Sequence, residues 1–188
     1  MSTKKANAGD SILRLTIMAM LAALAIVIGL WNFPILPAAG HLKMDFANVP
    51  VLISTILFGP VAGLSVLSVM AAIQAFVLGG DGWVGFVMHL AASGTLVLVT
   101  GLICRHKNKI SRVAVASVTG VIAQVLIMVP MSYLFYPVFF KVPTEAVTAM
   151  VFPIIIPFNL IKSVASAVLT VVIFSVLRPF LKKQNLIR

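Results

Sequence analysis

The sequence predicts an all-α integral membrane protein of six transmembrane helices, with both termini on the cytoplasmic side. Three observations carry that prediction. Of the 188 residues, 61% are apolar and only 10% are charged, against about half and about a quarter in soluble domains. The apolar residues fall into runs long enough to cross a bilayer, which takes about 20 residues. The cations gather in three clusters whose placement fits one side of the membrane.

In chain order, the polar and basic start, Met1 to Asp10, precedes an apolar run from about Ile12 to Trp31. That run is too long for a signal peptide and has no clean small-residue cleavage site, so it reads as a retained first span. A loop with Pro and Gly follows, Phe33 to Lys43. The next apolar region, Ala47 to Leu78, is interrupted by Phe58-Gly59-Pro60, and here charge decides between one over-long span and two short ones. The clusters are Lys4, Lys5 and Arg14, then Arg105, Lys107, Lys109 and Arg112, then Arg178, Lys182, Lys183 and Arg188. A turn at Gly59-Pro60 puts all three on one side and leaves Lys43 and Lys141 outside. A single crossing would split them. Proline disfavours helix at the residue before it and glycine permits a sharp bend, so the turn is physically sound. The first half, about Val49 to Leu57, is short for a span. Trp83 to Ile103 and Val113 to about Phe135 are the next two. A loop with Pro137, Lys141, Pro143 and Glu145 precedes the last, Val151 to Leu177, whose helix is expected to begin near Pro157.

This organisation excludes several functions. The spans fill residues 1–188 as one membrane-embedded domain, with no polar stretch left for a soluble catalytic unit. The net charge of +10 reflects cytoplasmic helix ends rather than a nucleic-acid partner. Cys104 is the one cysteine, which rules out an internal disulfide framework. No Walker A loop, metalloprotease motif or serine–histidine pairing is present, so neither an enzyme nor an ATPase is expected. The four acidic residues, Asp10, Asp45, Asp81 and Glu145, all fall outside the middle of a span, which argues against an ion-coupled carrier.

Four places hold candidate functional residues. Lys162 lies roughly 8 Å inside a helix starting at Pro157, at about 1.5 Å per residue, and a lysine at depth is costly unless it snorkels or is paired. Asn159 shares its face, three residues earlier. From spacing alone, ligand donors and a snorkelling lysine beside a capping asparagine both stay open. In Leu42-Lys43-Met44-Asp45-Phe46-Ala47-Asn48-Val49-Pro50, Asp45 or Asn48 can cap the second helix and Pro50 fits its first turn. The same stretch can set Lys43 and Asp45 at the outer mouth. Gly79-Gly80-Asp81-Gly82-Trp83 is either a tight turn with an interfacial tryptophan or a lid over a planar ligand. Gln74, His89, Ser93, Thr95 and Gln124 are polar within spans, where most such residues bond across helices. Ala19 and Ala23, four apart on the first helix, permit close approach of another helix.

Taken together these pieces resemble the S components of energy-coupling factor (ECF) importers, of the riboflavin-binding type. The matching segments are Leu42 to Phe46 with Asn48-Val49-Pro50, Leu57-Phe58-Gly59-Pro60-Val61-Ala62-Gly63, Gly79-Gly80-Asp81-Gly82-Trp83-Val84-Gly85 and Pro157-Phe158-Asn159-Leu160-Ile161-Lys162. They run in order along essentially the whole chain, and the Lys-Met-Asp-Phe and Pro-Phe-Asn-x-x-Lys pieces are the ones particular to the riboflavin branch. The resemblance implies a six-helix substrate-binding domain in the bacterial cell membrane that binds riboflavin near its outer face and has no resident cofactor. It implies ligand contacts from Leu42, Lys43, Met44, Asp45 and Phe46, from Gly79, Gly80 and Asp81, and from Asn159 and Lys162. Asn159 and Lys162 are expected on the ribityl hydroxyls, with Phe46, Trp83 and Phe158 around the isoalloxazine ring. Lys43 near the mouth leaves flavin mononucleotide open as a second ligand. Ala19 and Ala23 match the motif through which such subunits contact a membrane-embedded coupling subunit, which works with two ATPases. Ser163 stands where glycine is expected, a departure that concerns helix packing more than ligand choice. The competing readings are an S component for thiamine or a pyridoxine precursor, and a stand-alone membrane carrier.

Overall fold

The computed structural model describes residues 8–36, 42–78, 82–105 and 109–184. Its elements are α1 (Ala8–Leu30), a short ladder of β1 (Phe33–Pro34) and β2 (Lys43–Met44), α2 (Asn48–Phe58), α3 (Pro60–Phe76), α4 (Gly82–Cys104), α5 (Ile110–Phe139), α6 (Thr144–Met150), a π-helical turn (Val151–Ile155) and α7 (Ile156–Lys183). The last three run on as one 40-residue rod, Thr144–Lys183, so the described residues form six helical rods. Four of them, including α1, α4 and α5, are long and apolar enough to cross a membrane.

The break within Ala47 to Leu78 falls at Gly59, whose φ of +93° suits glycine, and Pro60 opens α3. The eleven residues of α2 would rise only about 16 Å, too little for a hydrocarbon core of about 30 Å. Burial explains how so short a helix is tolerated. Every residue from Asn48 to Ile56 is buried, so α2 is surrounded by protein rather than lipid. Its C-terminal carbonyl at Phe58 accepts a 2.9 Å hydrogen bond from Arg14 Nη2, a cation placed where the helix dipole favours one. On the other side of the turn, Gly101 of α4 lets the backbone of Pro60 approach so closely that a Cβ there would lie 2.8 Å from its Cα.

The core has three layers. Across the middle, residues of α1, α2, α3, α4, α5 and α7 meet around Leu52, Leu67, Leu96 and Val121. At one end, Ile56, Cys104, Val113, Phe174 and Leu181 pack together, which brings Arg14, Arg105, Arg112 and the Lys182–Lys183 pair to a common basic end. At the opposite end, Tyr136, Val147, Val151 and Ile155 pack together. The charge argument that placed the turn therefore agrees with the geometry. Lys4, Lys5, Lys107 and Arg188 lie outside the described residues.

Three expectations need correction. Phe33 to Lys43 contains a ladder, with Phe33 opposite Met44 and Pro34 opposite Lys43, because the chain doubles back to reach α2. Pro137 lies inside α5 rather than in a loop. The helix ends at Phe139, and the φ of +54° at Lys141 reverses the chain. The last rod starts at Thr144, well before Pro157. The wider π turn accommodates the ring of Pro153.

Candidate functional site

Opposite the basic end, the mouths of α4, α5 and α7 and the β2 strand enclose a cavity of about 190 Å³. From α4 it is lined by Gly85, Met88, His89, Ala92 and Ser93, a helical spacing of three and four that marks one face. From α5 come Gln124, Met128 and Tyr136, with Phe140 just after, again in steps of four or multiples of it. Phe158, Asn159 and Lys162 at the start of α7 and Leu42 and Lys43 beside them complete the wall.

Lys162 neither snorkels nor stands free. Its Nζ donates to Asp45 Oδ2 at 2.8 Å, and the two side chains keep only 13% and 10% of their exposure. It also donates to the Lys43 carbonyl at 3.4 Å. A functional role for Lys43 and Asp45 implies an ion pair at the mouth. It forms instead between Asp45 and Lys162, 117 residues apart, and the Lys43 side chain is exposed. Pairing offsets the cost of holding a lysine within the bundle. The other oxygen of Asp45, Oδ1, accepts from the Ala47 N–H at 3.0 Å, just before the first turn of α2. Neither Asp45 nor Asn48 caps that helix.

Burial by itself pushes the Asp45 carboxyl up, but the Lys162 ammonium, its hydrogen bond and the Ala47 amide outweigh this and hold it below the ordinary 3.8. A carboxyl depressed by folding contributes stability above its unfolded pKa and loses it as pH falls through the folded one. The expected result is a melting temperature in detergent that is flat near neutrality and falls below about pH 4, with a smaller fall in Asp45→Asn. An equal acid response in both proteins would assign that response to other groups.

Asn159 donates through Nδ2 to the Ile155 carbonyl at 2.9 Å, which fixes the amide on the cavity wall. Ser163, buried behind it, donates to the Asn159 carbonyl at 2.6 Å, in keeping with a packing role.

Of the expected ligand contacts, Leu42, Lys43, Asn159 and Lys162 line the cavity, and Asp45 reaches it through Lys162. Met44 is buried in the ladder against Phe33 and stands off the wall. Phe46 faces a separate apolar pocket with Trp31 and Phe33. Its neighbour Asp45 turns toward Lys162, and successive residues of extended chain point to opposite sides. Gly79, Gly80 and Asp81 lie outside the described residues. Of the three expected aromatics only Phe158 lines the cavity. Trp83 stays exposed at the rim and packs edge-on against Phe139, with ring centroids 4.8 Å apart. A span ending near Phe135 leaves out Tyr136 and Phe140, while Gln124 and Met128 fall within it, where Gln124 reads only as a polar residue of a span. The spacing of Gln124, Met128 and Tyr136 was the available sign.

One small-residue site lies elsewhere. Ala19 and Ala23 are exposed on α1 and border an apolar groove shared with Met18, Ile26 and Val66.

Residues 13–174 match the family ECF transporter, substrate-specific component. The chain belongs to that family. The membership agrees with the motifs at Gly59-Pro60 and on α7, and it makes this S component a multi-pass protein of the bacterial cell membrane and a transport subunit rather than an enzyme. It is similar to the riboflavin transporter FmnP of Bacillus subtilis, at 29% identity over 92% of this chain and 95% of that protein. The riboflavin transporter RibU of Staphylococcus aureus is 28% identical over 90% of this chain and 93% of its own. RibU of Streptococcus thermophilus is 26% identical over 90% and 85%. Among solved structures, the S component of a bacterial ECF transporter matches with a TM-score of 0.77 at 28% identity, over 92% of this chain and 99% of that one. An S component for biotin matches with a TM-score of 0.60 at 18% identity, over 91% and 95%, which is a likeness of fold.

Proposed function

We propose that this S component binds riboflavin in the cavity between α4, α5 and α7 and presents it for import by separate energising subunits. The observation that carries the reading is the cavity wall itself. Aromatic and thioether side chains, Tyr136, Phe140, Phe158 and Met88, stand beside a small set of fixed polar groups, Asn159 and the Lys162–Asp45 pair. A flavin needs that combination: apolar faces for the ring and donors for the hydroxylated chain. The relatives, matched over about nine-tenths of this chain, are named riboflavin transporters, which favours riboflavin over thiamine or a pyridoxine precursor.

In this reading residues 1–188 act as one substrate-binding domain, with the basic end and both termini in the cytoplasm and the cavity opening outward. Leu42, Lys43, Asn159 and Lys162 contact the ligand directly, and Asp45 holds Lys162 in place. Met44 and Phe46 shape the loop that closes the mouth, and Gly79, Gly80 and Asp81 are proposed as further ligand contacts. Import then requires a membrane-embedded coupling subunit, docked at Ala19 and Ala23, and two ATPases to supply the energy. Flavin mononucleotide is a second ligand to be tested, with Lys43 at the rim facing its phosphate.

The test is the visible absorption spectrum of the chain purified in mild detergent. Flavin bands at near one flavin per chain, or stoichiometric quenching of added riboflavin fluorescence, are expected. A colourless protein that leaves riboflavin fluorescence unchanged overturns the assignment of ligand.

A further inference from the structure

Two residues of the cavity wall hold a polar atom with no partner among the described residues. His89 Nε2 on α4 and Gln124 Oε1 on α5 are both buried, and neither makes a hydrogen bond within the described residues. Polar side chains within spans ordinarily bond across helices, and a buried polar atom left unpaired is costly. Both residues nevertheless line the same cavity as Asn159 and Lys162, whose polar atoms are engaged with Ile155, Asp45 and Lys43. The cavity wall therefore combines donors already held, Asn159 Nδ2 and Lys162 Nζ, with two residues whose buried polar atoms await a partner.

We infer that His89 and Gln124 are specificity-determining residues that read the imide edge of the flavin ring. The inference rests on riboflavin being the ligand of this cavity. The imide presents an N–H flanked by two carbonyls in one plane. Gln124 Oε1 accepts from the N–H, the same side-chain amide donates to one carbonyl, and His89 carrying its proton on Nε2 donates to the other. The ring thus enters imide edge first and packs between the aromatic and thioether side chains of α5 and α7. Its ribityl chain is left at the mouth beside Asn159 and Lys162. A site whose buried polar groups are satisfied only by the right ligand rejects analogues that leave them unpaired.

The decisive probe is N3-methylriboflavin, which keeps the ring and the ribityl chain but replaces the imide hydrogen. Riboflavin and this analogue are titrated against the full chain in detergent by fluorescence quenching. The native protein is expected to bind the analogue at least tenfold more weakly than riboflavin. Gln124→Met and His89→Leu are expected to bind riboflavin at least tenfold more weakly than native, and Gln124→Met to bring the two ligands close to parity. These variants remove an unpaired polar atom, so the ligand-free protein is expected to melt at an unchanged or higher temperature. A merely structural role would lower it instead. Equal binding of the two flavins by the native protein, which needs no variant, overturns the inference and assigns the two atoms to buried water. So does a discrimination that survives Gln124→Met. Failure of riboflavin itself to bind is a different result, and it removes the proposed function as well.

Discussion

Replacing Lys162 by alanine is expected to weaken riboflavin binding at least tenfold, about 1.4 kcal/mol, and to destabilise the fold as well. The two effects have separate causes. Lys162 lines the cavity, and truncation removes an ammonium donor from the wall. It also strips the Asp45 carboxylate of the partner 2.8 Å away, leaving a largely buried charge with the Ala47 N–H. Removing one member of a buried pair costs more than removing both. Asp45→Asn combined with Lys162→Met is therefore expected to melt higher than Lys162→Ala alone while binding no better. Asn159→Ala is expected to lose at least tenfold in affinity, about 1.4 kcal/mol, with little change in melting, since its hydrogen bond to Ile155 is local. Fluorescence quenching on protein that elutes as a single folded species measures the affinity of all three variants, and thermal unfolding measures their melting. Native affinity in folded Lys162→Ala protein would falsify the placement of this residue on the ligand.

The second large effect is expected on uptake rather than on binding. Leucine or tryptophan at Ala19 and Ala23 is expected to abolish riboflavin import in cells while leaving the affinity of the purified chain within about twofold of native. α1 is the span least covered by its own protein, with 17% of its apolar window buried. Ala22 and Ala25 point into the core, whereas Ala19 and Ala23 stand exposed beside the groove against α3. Bulk there fills the groove and holds a partner helix away. Neither residue lines the ligand cavity, so the binding site has no reason to respond. Co-purification with the coupling subunit distinguishes the causes. Normal assembly of the double variant, or a parallel loss of flavin binding, would contradict the assignment of this face.

How far the site could be read from the chain differs from residue to residue. Asn159 and Lys162 were legible because three residues of helix put both on one face, and that relation needs no tertiary information. Gln124, Met128 and Tyr136 carry the same kind of signal, but a span ending near Phe135 cuts off Tyr136 and leaves only the Gln124–Met128 step. His89 is visible as a polar residue in a span, yet nothing in its neighbours reveals that its Nε2 has no bonding partner among the described residues. Phe46 and Trp83 were assigned to the ligand by motif. The loop turns the first toward Trp31 and Phe33, and the second stays at the rim against Phe139. In loops and at interfaces, side-chain direction is set by whatever packs alongside.

By itself the sequence determined the membrane environment, the turn at Gly59-Pro60, the common end of the basic clusters and the family. Each of these depends on composition, on local backbone preference or on charge counted along the chain, and each is expressed within about one helix length. Only the tertiary structure decided that α2 is short because it is wrapped in protein, that the partner of Lys162 is Asp45 across 117 positions, and that two residues of the cavity wall keep a buried polar atom unpaired among the described residues. Those facts depend on which helix faces come together. That in turn is fixed by close packing of small and large side chains across the whole bundle, which no local window of residues contains.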